Sequence, residues 1–129
     1  MRVSLIITTY NRPDALMLVL QSIANQTKLP EEVIIADDGS DDKTKKLITN
    51  YQESSSLNII HSWQEDKGFR LAKSRNKAIA ISNFEYIILI DGDVILHPKF
   101  IQDHLDNAEP GYFIQGNRVL LTQNRTRQA

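Results

Sequence analysis

Short apolar runs alternate with segments of helical periodicity along the whole chain, and this alternation limits the fold more than any other feature. Runs rich in β-branched residues predict buried strands at 3–7, 33–36, 57–60 and 86–90. Strands that alternate with helices form a mostly parallel sheet with right-handed crossovers and helices on both faces. The chain of 129 residues is therefore predicted to be one α/β domain, residues 1–129, of Rossmann-like architecture.

Helices are predicted in the intervals between these strands. Pro13 suits the first turn of a helix that follows the first strand. Ser40 is predicted to cap a second helix. A third helix is expected at about 69–82, and Pro98 is expected to begin a fourth. A final strand is predicted at 112–121.

A polar cluster follows each predicted strand. The clusters occupy residues 8–12, 37–40, 63–68 and 91–93. In an open α/β sheet, ligands bind outside the carboxyl ends of the strands. We therefore expect these four loops to meet along one edge of the sheet and to form a site there.

Several classes of function are excluded by what the sequence lacks. The formal net charge of −1 argues against a nucleic-acid partner. The first loop has no glycine-rich dinucleotide fingerprint, and no phosphate-binding P-loop motif is present. No apolar run approaches the ~20 residues of a membrane span, and the first ten residues resemble a strand more than a signal peptide. The absence of cysteine fits a cytoplasmic protein.

Asp91, Gly92 and Asp93 follow the apolar run at 87–90 without a break. Two carboxylates at that position would be costly if they were buried without partners. Oxygen ligands of this kind suit Mn²⁺ or Mg²⁺, which take one or two carboxylates together with phosphate oxygens. The sequence therefore predicts a divalent metal held by Asp91 and Asp93, although an exposed acidic turn would have the same sequence.

The predicted third helix places Arg75 and Asn76 on the same stripe as its apolar residues. Side chains of this kind that face inward need partners or a pocket. Two interpretations are open and compatible: Arg75 lines a ligand pocket, or it forms an internal salt bridge with Asp37 or Asp38.

The histidines and the tryptophan carry less information. His104 is predicted to belong to the core, His97 to cap the last helix, and His61 to be structural. Trp63 would either stack on a sugar or cover the edge of the sheet, and the sequence does not decide between them.

Four motifs, taken in order, resemble a known family. They occupy residues 4–14, 34–40, 65–79 and 89–93, so that the resemblance covers nearly the whole chain. The order and content of these motifs resemble those of family 2 glycosyltransferases of the GT-A fold. The third and fourth motifs together are similar to the transferase domains of bacterial chondroitin polymerase and of related capsule or lipopolysaccharide enzymes.

The resemblance implies a role for particular residues. Asp38 would contact the base of a nucleotide-sugar, Arg75 would lie against the base or phosphates, Asp91 would face the ribose or sugar, and Asp93 would hold the metal. The other residues that would line the nucleotide pocket are Thr8, Thr9, Tyr10, Asn11 and Arg12. The donor would be a UDP-sugar, and transfer would invert the anomeric centre. The acceptor would be a saccharide or lipid-linked saccharide, met in the cytoplasm or at the inner membrane face.

The resemblance also implies that the acceptor pocket and the catalytic base lie in a C-terminal part that this chain lacks. Residues 124–129 resemble a flexible segment at which a longer chain is truncated, and no catalytic base is identifiable within the sequence. An edge left open near that point makes a homodimer plausible. Three alternatives remain open: a non-catalytic module that binds nucleoside diphosphates, a phosphohydrolase of the haloacid dehalogenase type, and an α/β interaction domain without a ligand.

Overall fold

The computed structural model describes residues 1–68 and 70–107, which form four parallel strands and four helices. Along the chain these elements are β1 Val3–Thr9, α1 Pro13–Ala24, β2 Glu32–Asp37, α2 Asp42–Ser54, β3 Ile59–Trp63, α3 Leu71–Ile81, β4 Tyr86–Asp91 and α4 Phe100–Asp106. The sheet has the order β3-β2-β1-β4. The predicted α/β fold with a parallel sheet is therefore confirmed.

This strand order reverses direction beside β1. The chain builds outward from β1 through β2 to β3 and then returns to place β4 on the other side of β1. Parallel sheets with such a switch point have a crevice outside the carboxyl ends of the two strands that flank it, and ligands bind there. The loops that follow β1 and β4 are thus neighbours in space although they are far apart in the sequence.

Apolar side chains cover both faces of the sheet. The larger core packs α1, α2 and α4 against one face, with Leu20, Ile48 and Ile101 as fully buried members from the three helices. The smaller core packs α3 against the other face through Ala78. Small buried residues on α3, Ser74 and Ala78, let this helix lie close to the strands.

A buried carboxylate connects three segments at the amino edge of the sheet. Glu32 is 1% exposed and accepts hydrogen bonds from the Ser4 hydroxyl (2.6 Å), the Asn83 backbone N–H (2.7 Å) and the Asn83 side-chain amide (2.9 Å). The Ser4 Oγ also accepts from the Phe84 N–H at 3.2 Å. Burial alone would raise the pKa of Glu32, but the hydrogen bonds from Ser4 and Asn83 outweigh it and lower the pKa.

Some predicted boundaries are wrong. The third strand lies at Ile59–Trp63 rather than 57–60, because it is an edge strand whose half-exposed side chains do not form an apolar run. Asp41, not Ser40, caps α2, since its carboxylate accepts from the Lys43 N–H at 3.2 Å. A turn separates Pro98 from α4, which begins at Phe100.

Several predicted features lie outside the described residues. They are the start of the third helix at Phe69, the strand at 112–121 and the terminal segment at 124–129. The described part of α3 begins at Leu71. In the part of the chain that is described, no helix has both the length and the apolar character to cross a membrane.

Candidate functional site

The crevice at the switch point is formed by the carboxyl ends of β1 and β4. Thr8 lies opposite Asp91 in the register of the two strands, and its hydroxyl donates to the Asp91 Oδ1 at 3.3 Å. Asp91 is half-buried as the last residue of β4, while Asp93 in the turn that follows is exposed. The structure thus places both predicted metal ligands at the edge of the crevice.

Gly92 holds the turn between these two aspartates against β1. A Cβ at this position would collide with the Thr8 carbonyl oxygen and would lie 3.3 Å from the Thr9 Cβ. Any larger residue would push the turn away from β1. The close approach that requires a glycine here is therefore the approach of the turn to β1.

Thr9 contributes an unsatisfied hydroxyl beside this turn. The residue is 4% exposed, and among the described residues its Oγ1 finds no hydrogen-bond partner. A buried hydroxyl without a partner costs free energy in the folded state. The Thr9 Cβ is next to Gly92, so this hydroxyl is buried beside the turn that carries Asp91 and Asp93.

The donor set at this edge fits a divalent cation that is shared with a ligand. In the described residues, Asp93 has no hydrogen bond or ion pair, and no three His, Cys, Asp or Glu side chains gather into a closed metal cage. Mg²⁺ and Mn²⁺ commonly take one or two carboxylates and fill their remaining positions with phosphate oxygens and water. Asp91 and Asp93 could provide this kind of open site.

Asp38 lies at the end of β2, next to the crevice. It is 2% exposed, and its backbone N–H donates to the Thr9 carbonyl at 3.1 Å. Its carboxylate accepts from the Gln64 side-chain amide at 2.6 Å and from the Arg70 backbone N–H at 2.7 Å. The loop between β3 and α3 is therefore fastened to Asp38 at both of its ends.

Tyr10 fastens the same loop from the side of β1. Its hydroxyl donates to the Asp66 Oδ2 at 2.7 Å, and this hydrogen bond together with burial raises the pKa of Tyr10. Gly39, at φ +97°, passes so close to the loop that a Cβ would lie 2.6 Å from the Asp66 backbone. The loops after β1, β2 and β3 are thus in contact with one another.

The other predicted residues of the first loop have structural partners. Asn11 adopts a φ of 49°, donates from its backbone N–H to the Ser40 Oγ at 2.8 Å, and accepts from the Asp41 N–H at 2.7 Å. Arg12 forms an exposed ion pair with Asp14 at 3.6 Å. Asn11 therefore joins the first two loops, and Arg12 is exposed at the N-cap position just before α1.

Arg75 lies half-buried in the second turn of α3. The predicted salt bridge to Asp37 or Asp38 is wrong: within the described residues Asp37 pairs with His61 at 2.8 Å, and Asp38 has neutral donors only. The prediction that Asn76 faces inward is also wrong, because it is exposed while Ser74 and Ala78 form the buried face. The hydrogen bond between Asp38 and Arg70 N nevertheless keeps the start of α3 at the site.

The remaining predictions concern single residues. His104 is buried with its ring 4.6 Å from that of Phe100, which confirms its place in the core, and burial lowers its pKa. The His97 Nδ1 accepts from the Lys99 N–H at 3.1 Å, but Lys99 is itself the N-cap residue and no side chain caps α4, so the prediction that His97 caps this helix is wrong. Trp63 donates from its indole N–H to the Ser40 carbonyl at 3.1 Å and packs under Lys45, so it covers the sheet edge.

Two residues of the site were not identified from the sequence. Gln64 and Asp66 lie in the loop after β3, and their importance follows from contacts with Asp38 and Tyr10. A glutamine or an aspartate in a polar loop gives no signal by itself. Only the convergence of three loops could have indicated them.

Comparison with known proteins identifies the family of this domain. Residues 4–128 match the model of glycosyl transferase family 2. Validoxylamine A glucosyltransferase of Streptomyces hygroscopicus subsp. limoneus is 36% identical over 79% of this chain and 22% of its own length. Hyaluronan synthase of Pasteurella multocida is 34% identical over 79% of this chain and 10% of its own length. The Escherichia coli chondroitin synthase is 32% identical over 80% of this chain and 15% of its own length.

Solved structures show the same fold with nucleotide-sugars bound. S. aureus TarS in complex with UDP-GlcNAc matches with a TM-score of 0.73 and 28% identity, over 82% of this chain and 30% of TarS. The mannosyltransferase PcManGT from Pyrobaculum calidifontis, in complex with GDP-Man and Mn²⁺, matches with a TM-score of 0.69 and 28% identity, over 84% of this chain and 33% of its own. The chain thus spans a third or less of these proteins.

Proposed function

The chain belongs to glycosyltransferase family 2, and from this premise we propose that it is the nucleotide-sugar-binding part of a metal-dependent transferase that takes a UDP-sugar as donor. The observation that carries the proposal is the convergence at the switch point. Thr8 contacts Asp91 across it, and Thr9 contacts Asp38 on its other side. Neighbouring strands are spaced about 4.8 Å apart, so a single ligand can reach from the end of β2 to the end of β4.

The two ends of this row of loops suit different parts of a nucleoside diphosphate. At β4, Asp91 and Asp93 are proposed to hold Mn²⁺ or Mg²⁺ together with the diphosphate. At β2, Asp38 is proposed to accept a hydrogen bond from the base. The remaining proposed pocket residues, between or beside these two points, are Thr8, Thr9, Tyr10, Asn11, Arg12 and Arg75.

A bound divalent cation would supply a Lewis acid that stabilises the departing diphosphate while the anomeric carbon gains positive charge. The residues of this chain would position the donor, since Asp38 fixes the base and the tightly packed turn at Gly92 fixes the aspartates relative to β1. Transfer also requires a base that deprotonates the acceptor hydroxyl. We propose an inverting reaction on a saccharide or lipid-linked saccharide, in the cytoplasm or at the inner membrane face, with the base supplied from outside the described residues.

Calorimetry of the 129-residue chain with UDP, GDP, CDP and ADP, each with and without Mn²⁺, tests this proposal. UDP is expected to bind, and to bind more tightly when Mn²⁺ is present. UDP-sugar hydrolysis, followed by release of free sugar, then separates a transferase from a module that only binds nucleotides. Failure of every nucleoside diphosphate to bind with Mn²⁺ present would contradict the proposed function.

A further inference from the structure

Gln64 is the side chain that holds the Asp38 carboxylate. Its amide Nε2 donates to the Asp38 Oδ1 at 2.6 Å and to the Arg70 carbonyl at 3.2 Å. Gln64 is 6% exposed, so that these contacts are shielded from water. The two hydrogen bonds fix where Asp38 lies relative to the start of α3.

The orientation of the Gln64 amide follows from its partners. An ionised carboxylate and a backbone carbonyl only accept hydrogen bonds, so the NH₂ group must face both of them. The Gln64 Oε1 then points away from Asp38, and among the described residues it has no partner. Asp38 therefore receives hydrogen bonds from an amide and from the Arg70 N–H, and no described cation pairs with it.

A carboxylate held in this way keeps its capacity to accept. Two oxygens offer about four lone-pair sites, and Gln64 and Arg70 occupy two of them. Neutral donors fix the direction of the remaining sites without neutralising the charge. Such a group discriminates between base edges, because it favours a ring N–H and repels a ring nitrogen that carries a lone pair.

We propose that Gln64 is a positioning residue for donor recognition. Its amide fixes Asp38 so that the carboxylate accepts from the ring N–H of uracil and repels the corresponding unprotonated ring nitrogen of cytosine. This inference rests on the proposed function, since it assigns to Gln64 the choice of base at the same site. Asp38 reads the base, and Gln64 acts through Asp38.

A purely structural role for Gln64 makes a different prediction. If the amide only fastened the loop after β3, its loss would loosen the whole site and weaken every ligand to a similar degree. Under the proposal, the loss affects the base and leaves the diphosphate and metal contacts at β4 intact. Inorganic pyrophosphate, which has no base, separates the two roles.

Calorimetry with Mn²⁺ on the full 129-residue chain would measure UDP, CDP and pyrophosphate binding to the wild type, Gln64→Leu and Gln64→Glu. Leu keeps much of the volume and removes the hydrogen bonds, while Glu keeps the shape and places a second carboxylate against Asp38. Gln52→Leu is the matched control, because Gln52 also donates from a side-chain amide to a backbone carbonyl, that of Ile59 at 3.0 Å, but at the opposite end of β3.

We expect both Gln64 variants to lower the UDP-to-CDP affinity ratio by about tenfold, with pyrophosphate affinity unchanged. The Gln52 variant should retain the wild-type ratio. A Gln64 variant that retains the ratio, or one that weakens UDP, CDP and pyrophosphate in parallel, would overturn the role of Gln64 while the proposed function stands. A wild-type chain that binds none of the three ligands would overturn both.

Discussion

The two ends of β1 differ in how fully the chain satisfies the hydrogen-bonding capacity of the polar groups there. At the amino end, the Ser4 hydroxyl bonds to Glu32 and to the Phe84 N–H, and Glu32 has three donors from the protein. At the carboxyl end, the Thr9 hydroxyl has no partner within the described residues, and Asp93 is exposed without one. Both ends carry carboxylates, but Glu32 takes three donors from the chain, whereas Asp93 takes none from the described residues.

This difference separates residues that stabilise the fold, at one end of β1, from residues that are available to bind a ligand, at the other. A carboxylate such as Glu32, which takes three hydrogen bonds from the chain, stabilises the fold, whereas an exposed carboxylate without such donors keeps its lone pairs for a ligand. Polar groups that the fold leaves unsatisfied cost free energy, which a ligand can recover when it binds. Changes at the amino end should therefore affect stability, and changes at the carboxyl end should affect binding.

The largest expected effect is that of Glu32→Ala. The substitution leaves the Ser4 hydroxyl and both Asn83 donors without their acceptor, and we expect the free energy of unfolding to fall by about 3 kcal/mol. Urea titration measures it. Glu53→Ala, on the exposed side of α2, is the control and should change stability by less than about 0.5 kcal/mol. The comparison would fail if Glu32→Ala spared stability and weakened UDP binding instead.

Asp93→Asn tests the other end of the comparison. Loss of a metal ligand should weaken UDP binding in the presence of Mn²⁺ by about 100-fold, as measured by calorimetry. Stability should change by less than about 0.5 kcal/mol, because Asp93 is exposed. Asp103→Asn, an exposed acid on α4, should retain wild-type affinity. Equal UDP affinity in wild type and Asp93→Asn would remove Asp93 from the site.

The acid dependence of stability should originate at the amino end. The pKa of Glu32 is lower in the folded chain than its ordinary value of 4.5, so the unfolded chain takes up protons first as the pH falls. The stability that Glu32 contributes is present above pH 4.5 and is lost as the pH falls through the lower folded pKa. Urea titrations from pH 7 to pH 3 should show a smaller loss for Glu32→Gln than for the wild type. Parallel curves would show that Glu32 is not responsible.

The sequence predicted the features that depend on local pattern. Buried strands gave apolar runs, so β1, β2 and β4 were located, and Asp91 and Asp93 were expected at the carboxyl end of β4, where the structure has them. Periodicity did not give the rotation of α3, because Ser74 takes a buried position and Asn76 an exposed one. The contact between Gln64 and Asp38 joins residues 26 positions apart and depends on how two loops pack, which no local pattern records.

The smallest expected effect compares two hydroxyls on β1. Ser4→Ala removes a satisfied hydroxyl and leaves Glu32 short of one donor, so it should lower the free energy of unfolding by about 1 kcal/mol. Thr9→Val removes an unsatisfied hydroxyl with nearly the same shape, so stability should stay equal or rise.

The affinity for UDP with Mn²⁺ should show the reverse pattern, because only Thr9→Val is expected to change it. Ser4→Ala should retain it, because Ser4 lies at the far end of the strand from the crevice. Thr9→Val should weaken it by about fivefold, since the ligand then loses a hydrogen bond that the free chain does not make. Urea titration and calorimetry on the same preparations give both quantities. If Thr9→Val destabilised the fold and left UDP affinity intact, the two ends of β1 would be alike, because both hydroxyls would then serve the structure.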